Sequence, residues 1–379
     1  MPDLRPSTRE HVPPSDPDRV WLERARTLGR RGWGHVHPNP MVGCVLVRDG
    51  RVVGEGWHEV FGGPHAEIRA LEAAGAEAEG ATAFVSLEPC NHHGKTPPCA
   101  EALLRAGVLR VVYGAADPGP ASSGGGARLA AEGVDVAGPL WSRPEAVAEN
   151  PAFFHAAAGD RPFVALKLAM SLDGGIAAAA GEATGVTGPE ARDRVHALRS
   201  GFDAVLVGST TARVDDPLLT VRHAPAGRVA PRRLVLDGRA RLPATARMLR
   251  DVAEAPVHVF TGPEATEADL ERLEGAGAHV HPVPAGPDGR LDLPAVLDDC
   301  VALGLRSILC EGGGRLGSAL LAGGHVQRLI LLVAPVVFGP DRVPAFPDAA
   351  VSLSGFRPVL TPERLGPDTL LILDRVEAA

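Results

Sequence analysis

The densest run of chemistry-bearing residues in the chain is His65-Ala66-Glu67, followed by Pro89-Cys90 and then Cys99. One imidazole nitrogen and two thiolate sulfurs make a three-ligand set for a tetrahedral zinc ion, with the fourth position left for water. Zinc lowers the pKa of such a water towards neutrality. Glu67 follows His65 on the same helical turn, near enough to move protons without ligating. It would take a proton from that water and later deliver it to a departing ammonia. Cys99 is expected at a helix start, where aligned backbone dipoles favour a thiolate. Zinc sites of this kind commonly put two residues between the cysteines, whereas eight stand here, Asn91 to Pro98. The wider spacing weakens the generic motif and leaves the chemistry intact. The bland alternative is a structural zinc clip, or a buried histidine beside two unrelated thiols. A Pro-Cys pair directly after an apolar strand favours the functional reading.

The second half of the chain carries three weaker signals. Cys310-Glu311-Gly312-Gly313-Gly314-Arg315-Leu316-Gly317 follows an expected strand and opens an expected helix. Glycines there let backbone amides approach a phosphate at the helix N-terminus. The run matches Gly-x-Gly-x-x-Gly, but no acidic residue follows about 20 positions on to hold a ribose, so a tight strand–helix turn is an equal alternative. Lys167 stands in an otherwise apolar strand before Ser171-Leu172-Asp173-Gly174. Buried, it needs a partner or an anionic ligand; at a sheet edge it could snorkel. Asp215-Asp216-Pro217, ahead of Leu218-Leu219-Thr220-Val221-Arg222, reads without context as a turn.

The elements that must hold these groups alternate between strand and helix. The first half predicts a helix from about residue 18 and a hairpin of 42–47 and 52–56 around Asp49-Gly50. Then come a helix over 66–74 with Ile68 and Leu71 inward, a strand at 83–87, a helix over 99–106, a strand at 108–113 and a helix near 128–132. That is a layered α/β domain. The strand signal lapses over 138–161 and resumes at 163–170. Further strands are expected at 204–207, 234–237, 257–261, 307–310, 329–333 and 370–374, with helices at 189–199, 264–273, 293–303 and 316–321. The expected division is a loose tail at 1–17, a first domain at 18–145, a linker at 146–161 and a second α/β domain at 162–379.

Bulk properties agree with two globular domains: the 379 residues are 45% hydrophobic and 22% charged. A net charge of −8 argues against a broad nucleic-acid or membrane face. There is no long apolar run, and the first residues read as a tail rather than a signal peptide. An odd count of five cysteines suggests a reducing compartment and metal or thiol roles, so the expected location is the cytoplasm.

Three segments carry a family resemblance: His37-Pro38-Asn39-Pro40-Met41-Val42-Gly43-Cys44, Pro64-His65-Ala66-Glu67, and Glu88-Pro89-Cys90-Asn91-His92-His93-Gly94-Lys95-Thr96-Pro97-Pro98-Cys99. They closely resemble the bifunctional deaminase/reductase family of riboflavin biosynthesis, and the long spacer between the cysteines is that family's own signature. The resemblance runs over nearly the whole chain from about Val20. It implies a cytidine-deaminase-like three-layer N-terminal domain and a dihydrofolate-reductase-like C-terminal domain. It also implies zinc-dependent deamination of 2,5-diamino-6-ribosylamino-4(3H)-pyrimidinone 5′-phosphate, then NADPH-dependent reduction of the ribosyl group to a ribitylamino product. Alone, Asn39 between two prolines reads as a turn residue. The resemblance makes it a holder of the substrate ring, with His92 and Lys95 in the loop over the site. It assigns Ala169, Thr211, Asp215 and the loop Gly313, Gly314, Arg315, Leu316, Gly317, Ser318 and Ala319 to NADPH, with Lys167 and Gly185 on the same side. It assigns Arg199, Leu219, Arg222 and Glu311 to substrate, and the two guanidinium forks suit a ribose phosphate. Related proteins suggest a homodimer or homotetramer.

Four positions depart from the family pattern. Gly119 stands where an Asn is usual, Ala183 and Gly185 where Ser and Trp are usual, and Gly175 where a basic residue is usual. Each lost contact of this kind is worth about 1–3 kcal/mol. The Ala183 and Gly185 departures motivate a rival reading in which the second domain only binds nucleotide or supports assembly. A nucleic-acid base deaminase would need a basic groove and stacking aromatics, which a charge of −8 and 4% aromatics oppose. A purely structural zinc protein would hold metal without turnover.

Overall fold

Strands rich in valine, alanine and leucine form the middle of a sheet in the first half of the chain, and short helices cover both faces. The computed structural model describes residues 17–92, 97–347 and 351–376, and its contacts divide the chain into two compact units after Gly159. The first unit runs α1 (Pro17–Gly29), β1 (Gly43–Arg48), β2 (Arg51–Trp57), α2 (Ala66–Ala74), β3 (Thr82–Leu87), α3 (Cys99–Arg105), β4 (Arg110–Ala115), α4 (Gly125–Ala131), β5 (Asp135–Ala137), α5 (Arg143–Glu149) and α6 (Pro151–Ala158). Its sheet order is β2-β1-β3-β4-β5, with β2 and β3 antiparallel to β1 and the others parallel.

Period-two alternation assigns the residues to layers. Val45, Val47, Phe84 and Val112 meet Leu22, Ala25 and Leu28 of α1. On the other face Cys44, Leu46, Ala83, Val85 and Val111 meet Ala66 and Ala70 of α2, Ala100 and Leu103 of α3, and Leu129 of α4. Helix α2, which carries Glu67, lies hard against β2. A Cβ at Gly54 would sit 2.3 Å from the Ala70 carbonyl and one at Gly56 2.5 Å from that of Ala66. Only glycine lets the two backbones approach so closely.

Two departures from expectation have packing causes. Helix α4 begins at Gly125, ahead of the expected start near 128. Glycine is a poor helix former, but a Cβ at Gly125 would lie 1.8 Å from the Pro89 carbonyl, so proximity to the Pro89-Cys90 turn selects it. The segment expected as a linker is largely helical: α5 starts on a Ser142/Glu145 capping box, and α6 follows at once.

The second unit runs β6 (Phe163–Ser171), β7 (Gly175–Ala177), α7 (Pro189–Arg199), β8 (Ala204–Gly208), α8 (Ser209–Val214), β9 (Arg232–Leu236), β10 (Val257–Thr261), α9 (Glu267–Gly275), β11 (His279–Pro282), α10 (Leu293–Ala302), β12 (Ser307–Cys310), α11 (Gly314–Ala322), β13 (Arg328–Ala334), β14 (Val343–Pro344), β15 (Phe356–Pro358), β16 (Glu363–Leu365) and β17 (Asp368–Arg375). The sheet order is β11-β10-β9-β8-β12-β6-β13-β17-β15. Pairing is parallel from β11 to β13, and β17 and β15 close the sheet antiparallel. Strands buried on both faces read as continuous apolar runs. One face packs under α10 and α11, and the other holds Ala212 of α8 and Leu273 of α9. From β8 the chain goes on to β9 on one side, and from β12 it goes on to β13 on the other. The loops leaving those two neighbours therefore diverge at their C-terminal ends, where parallel sheets hold ligands.

Candidate functional site

In the first unit, His65 stands at the N-cap of α2, Cys90 in the turn after β3, and Cys99 at the first position of α3. His65 Nδ1 lies 3.6 Å from Cys90 Sγ and 3.3 Å from Cys99 Sγ. All three donor atoms fall within 4.8 Å of one another. Tetrahedral bonds of about 2.1 Å to nitrogen and 2.3 Å to sulfur put neighbouring donors about 3.6 Å apart, so this set fits zinc in both type and spacing. The Cys99 thiol bonds to Cys90 and, with His65 and the Cys99 backbone amide, holds the Cys90 thiolate down at about 4. The adjacent Cys90 sulfur and burial both oppose loss of the second proton, so Cys99 is pushed up.

Glu67 is 3% exposed beside this cluster. Burial raises its carboxyl to about 7, against the pull of His65. A group poised near neutrality can both take and return a proton.

Asn39 sits in the loop before β1, and its Nδ2 lies 3.1 Å from His58 Nε2. His58 Nδ1 lies 3.0 Å from the Pro64 carbonyl. A carbonyl only accepts, so the His58 proton is on Nδ1 and Nε2 accepts from the Asn39 amide. That turns the Asn39 oxygen away from His58. His58 is buried, and desolvation lowers its pKa. His92 is exposed, and Lys95 lies outside the described residues. Gly119 leaves room for Ser122, whose Oγ would be 2.6 Å from a Cβ there.

Three supporting residues escape sequence reasoning. His58 is an isolated histidine with no motif of its own. The Asn150 side chain donates to the Met41 carbonyl at 3.1 Å and accepts from its amide at 2.7 Å, fixing the strand end that follows Asn39. Glu88 accepts from the amides of Gly124, Gly126 and Asp117, tying the loop after β4 to the Cys90 turn. Only Glu88, within the cysteine segment, stood next to a recognisable signal.

In the second unit, Lys167 on β6, Glu311 after β12 and Arg199 at the end of α7 converge. Arg199 makes a fork on Glu311, with Nε at 2.6 Å and Nη2 at 3.0 Å, and its Nη1 donates to the Thr220 carbonyl at 2.9 Å. Lys167 Nζ lies 3.8 Å from Glu311. Burial works to raise the Glu311 carboxyl, but Arg199 and Lys167 outweigh it and hold it ionised. Burial lowers the Lys167 ammonium against the opposing pull of Glu311. The glycine run is a strand–helix turn, and the Gly313 amide donates to Thr211 Oγ1 of α8 at 3.2 Å.

Gly314, Gly317 and Ser318 are buried in the start of α11, Leu316 and Ala319 are half-buried, and Arg315 is exposed. Ala169 is half-buried on β6, and Asp215, at the end of α8, has its carboxyl raised by burial against Lys167. Leu219 is buried with φ +55°, and Arg222 is exposed. Gly185 is exposed, with nothing within 4 Å of where a Cβ would be. At Gly175 a Cβ would meet Phe338 at 2.9 Å and Arg342 at 3.0 Å.

Comparison with known proteins gives one consistent picture. Residues 15–115 match the cytidine and deoxycytidylate deaminase zinc-binding region, and residues 162–362 match the RibD C-terminal domain. The chain is 40% identical over 338 residues to the riboflavin biosynthesis protein RibD of Escherichia coli, covering 86% of this chain and 89% of that one. To RibD of Aquifex aeolicus it is 38% identical over 323 residues, covering 85% and 88%. Among solved structures, Acinetobacter baumannii RibD is 34% identical with a TM-score of 0.77, covering 95% of this chain and 99% of that one. A diaminohydroxyphosphoribosylaminopyrimidine deaminase/5-amino-6-(5-phosphoribosylamino)uracil reductase from Thermotoga maritima is 32% identical with a TM-score of 0.79, again covering 95% and 99%.

Proposed function

The chain belongs to the RibD family of riboflavin biosynthesis, joining a cytidine-deaminase-like domain to a reductase domain of dihydrofolate-reductase-like fold, and on that premise we propose its substrates, cofactors and working residues. The first reaction is hydrolytic deamination of 2,5-diamino-6-ribosylamino-4(3H)-pyrimidinone 5′-phosphate, in which water replaces a ring amino group and ammonia leaves. The second is reduction of the ribosyl group to a ribityl chain by NADPH. The observation that carries the reading is the His65, Cys90 and Cys99 set of zinc spacing with the buried Glu67 carboxyl beside it.

Zinc, when bound, supplies a Lewis acid and makes water acidic enough to react near neutral pH. Glu67 takes the proton of the attacking water and returns it to the leaving nitrogen. Asn39, held by His58, offers its amide oxygen to donors on the substrate ring, and His92 and Lys95 are the further substrate-binding residues.

In the second unit the nicotinamide, when bound, supplies the hydride. Ala169, Gly185, Thr211, Asp215 and the 313–319 turn form the cofactor side, with Lys167 between cofactor and substrate. Arg199 is committed to Glu311 and Thr220, so the substrate phosphate falls first to the exposed Arg222, beside Leu219. We place the enzyme in the cytoplasm as a homodimer or homotetramer; among the described residues no helix is long and apolar enough to cross a membrane.

The test is to give zinc-loaded protein the diamino-pyrimidine ribosyl phosphate with NADPH and identify products by mass spectrometry. A deaminated ribitylamino product with matching NADPH consumption is expected. A product deaminated but still ribosylated would sink the reductase half, and untouched substrate would sink the substrate assignment.

A further inference from the structure

The segment that leads from α8 to Arg222 is held in an unusual backbone state. Asp216 has φ +39° and Leu219 φ +55°, both in the left-handed region that side chains disfavour. Such conformations persist where surrounding contacts over-determine them. From beneath, the fully buried Arg233 reaches the Leu218 carbonyl at 3.4 Å. From α7, two side chains meet at a single atom, the Thr220 carbonyl oxygen: Arg199 Nη1 at 2.9 Å and His196 Nδ1 at 3.0 Å. The Arg199 donor fixes that peptide plane. The Arg222 amide nitrogen lies 3.3 Å from the same His196 nitrogen. The Arg222 N–H can only donate and is aimed at Nδ1, so His196 Nδ1 sits between the Thr220 carbonyl and the Arg222 amide and holds the 220–222 backbone at both.

Resting on the reading that Arg222 meets the phosphorylated substrate, we propose that His196 is a positioning residue of the reductase site: by holding the backbone at Thr220 and Arg222 it sets the path of residues 219–222 and the place of the Arg222 guanidinium. His196 sits one helical turn before Arg199 on α7, so a single rigid helix carries both side chains. It is 6% exposed, and it needs no positive charge to do this. Burial, Arg199, Arg222 and His223 keep its pKa at about 4, so it adds no cation beside two arginines. It acts through the backbone of Thr220 and Arg222.

The full-length, zinc-loaded protein serves for the test, with two variants, His196→Ala and His196→Gln. The glutamine amide can still donate to the Thr220 carbonyl. In His196→Ala the KM for the deaminated ribosyl phosphate rises about ten-fold or more, while the KM for NADPH stays within about two-fold and ammonia release is unchanged; one lost buried hydrogen-bond partner is worth that much. His196→Gln recovers most of the loss. Amide hydrogen exchange over residues 215–223, read by mass spectrometry, speeds up in His196→Ala and returns towards wild type in His196→Gln. An unchanged substrate KM, equal damage in both variants, or a parallel rise in both KM values would overturn the proposal. If the wild-type protein shows no NADPH-dependent reduction, the functional reading fails by itself. The exchange measurement still decides the clamp, and unaltered exchange in His196→Ala refutes it.

Discussion

A buried carboxyl group beside a set of metal-ligating side chains is the most informative single residue here. Glu67 is raised to about 7 chiefly by burial, and its neighbours include His65 and Cys99. Replacing it with glutamine keeps the shape and removes the exchangeable proton. Glu67→Gln should lower ammonia release by about 10²–10⁴-fold, the usual range for a positioned acid–base group, while metal analysis still finds one zinc per chain. Loss of zinc in that variant would make Glu67 a ligand instead. The cluster of His65, Cys90 and Cys99 with Glu67 beside it was legible in the sequence because metal chemistry restricts the residue types and the turns between them are short. His58, Asn150 and His196 were not legible. Each acts on backbone or amide groups brought near by the fold, and Asn150 reaches Met41 across 109 residues. No local pattern encodes such a meeting.

Elements with a strong period were also read well from sequence, and those shaped by contact were not. The hairpin of β1 and β2, the helix α2 and the buried parallel strands follow alternation or apolar runs. Helix α4 begins on glycines because Pro89 leaves no space for a side chain, and the short α8 lies in the stretch before Asp215-Asp216-Pro217, which reads as a turn. The edge pair β10 and β11 shows a further consequence of packing. His258 is 5% exposed, meets His281 Nε2 at 2.9 Å and stacks on His279 and His281 at 4.9 and 5.1 Å. Burial, then His281, His279 and Arg232, keep its pKa at about 4, against about 6.5 in an unfolded chain. Between those values the unfolded chain binds the proton and the folded one does not. The contribution to stability is therefore complete above about pH 6.5 and is lost as pH falls towards 4. Thermal melts of the second unit should show up to about 2 kcal/mol of this loss by about pH 5, and His258→Gln should flatten that slope. Equal slopes in the two proteins would remove His258 as the cause.

At the scale of the molecule, each site is built from the residues of one unit. The zinc set, Glu67, Asn39, His58 and Asn150 all precede Gly159, and Lys167, Arg199, Arg222, Glu311 and the 313–319 turn all follow it. A net charge of −8 and a small aromatic content suit small, local anion sites such as Arg222 better than an extended polyanion surface. If metal binds only the first unit's folded form, it stabilises that unit by mass action and leaves the other alone. A chelator should then abolish ammonia release and lower the first unit's melting temperature by several degrees, while reduction of supplied, already deaminated substrate by NADPH continues at its former rate. Restoring zinc should return ammonia release. Loss of reduction together with ammonia release, reversed by zinc, would show instead that the second site depends on the state of the first. In that case the assignment of each site to its own unit would fall.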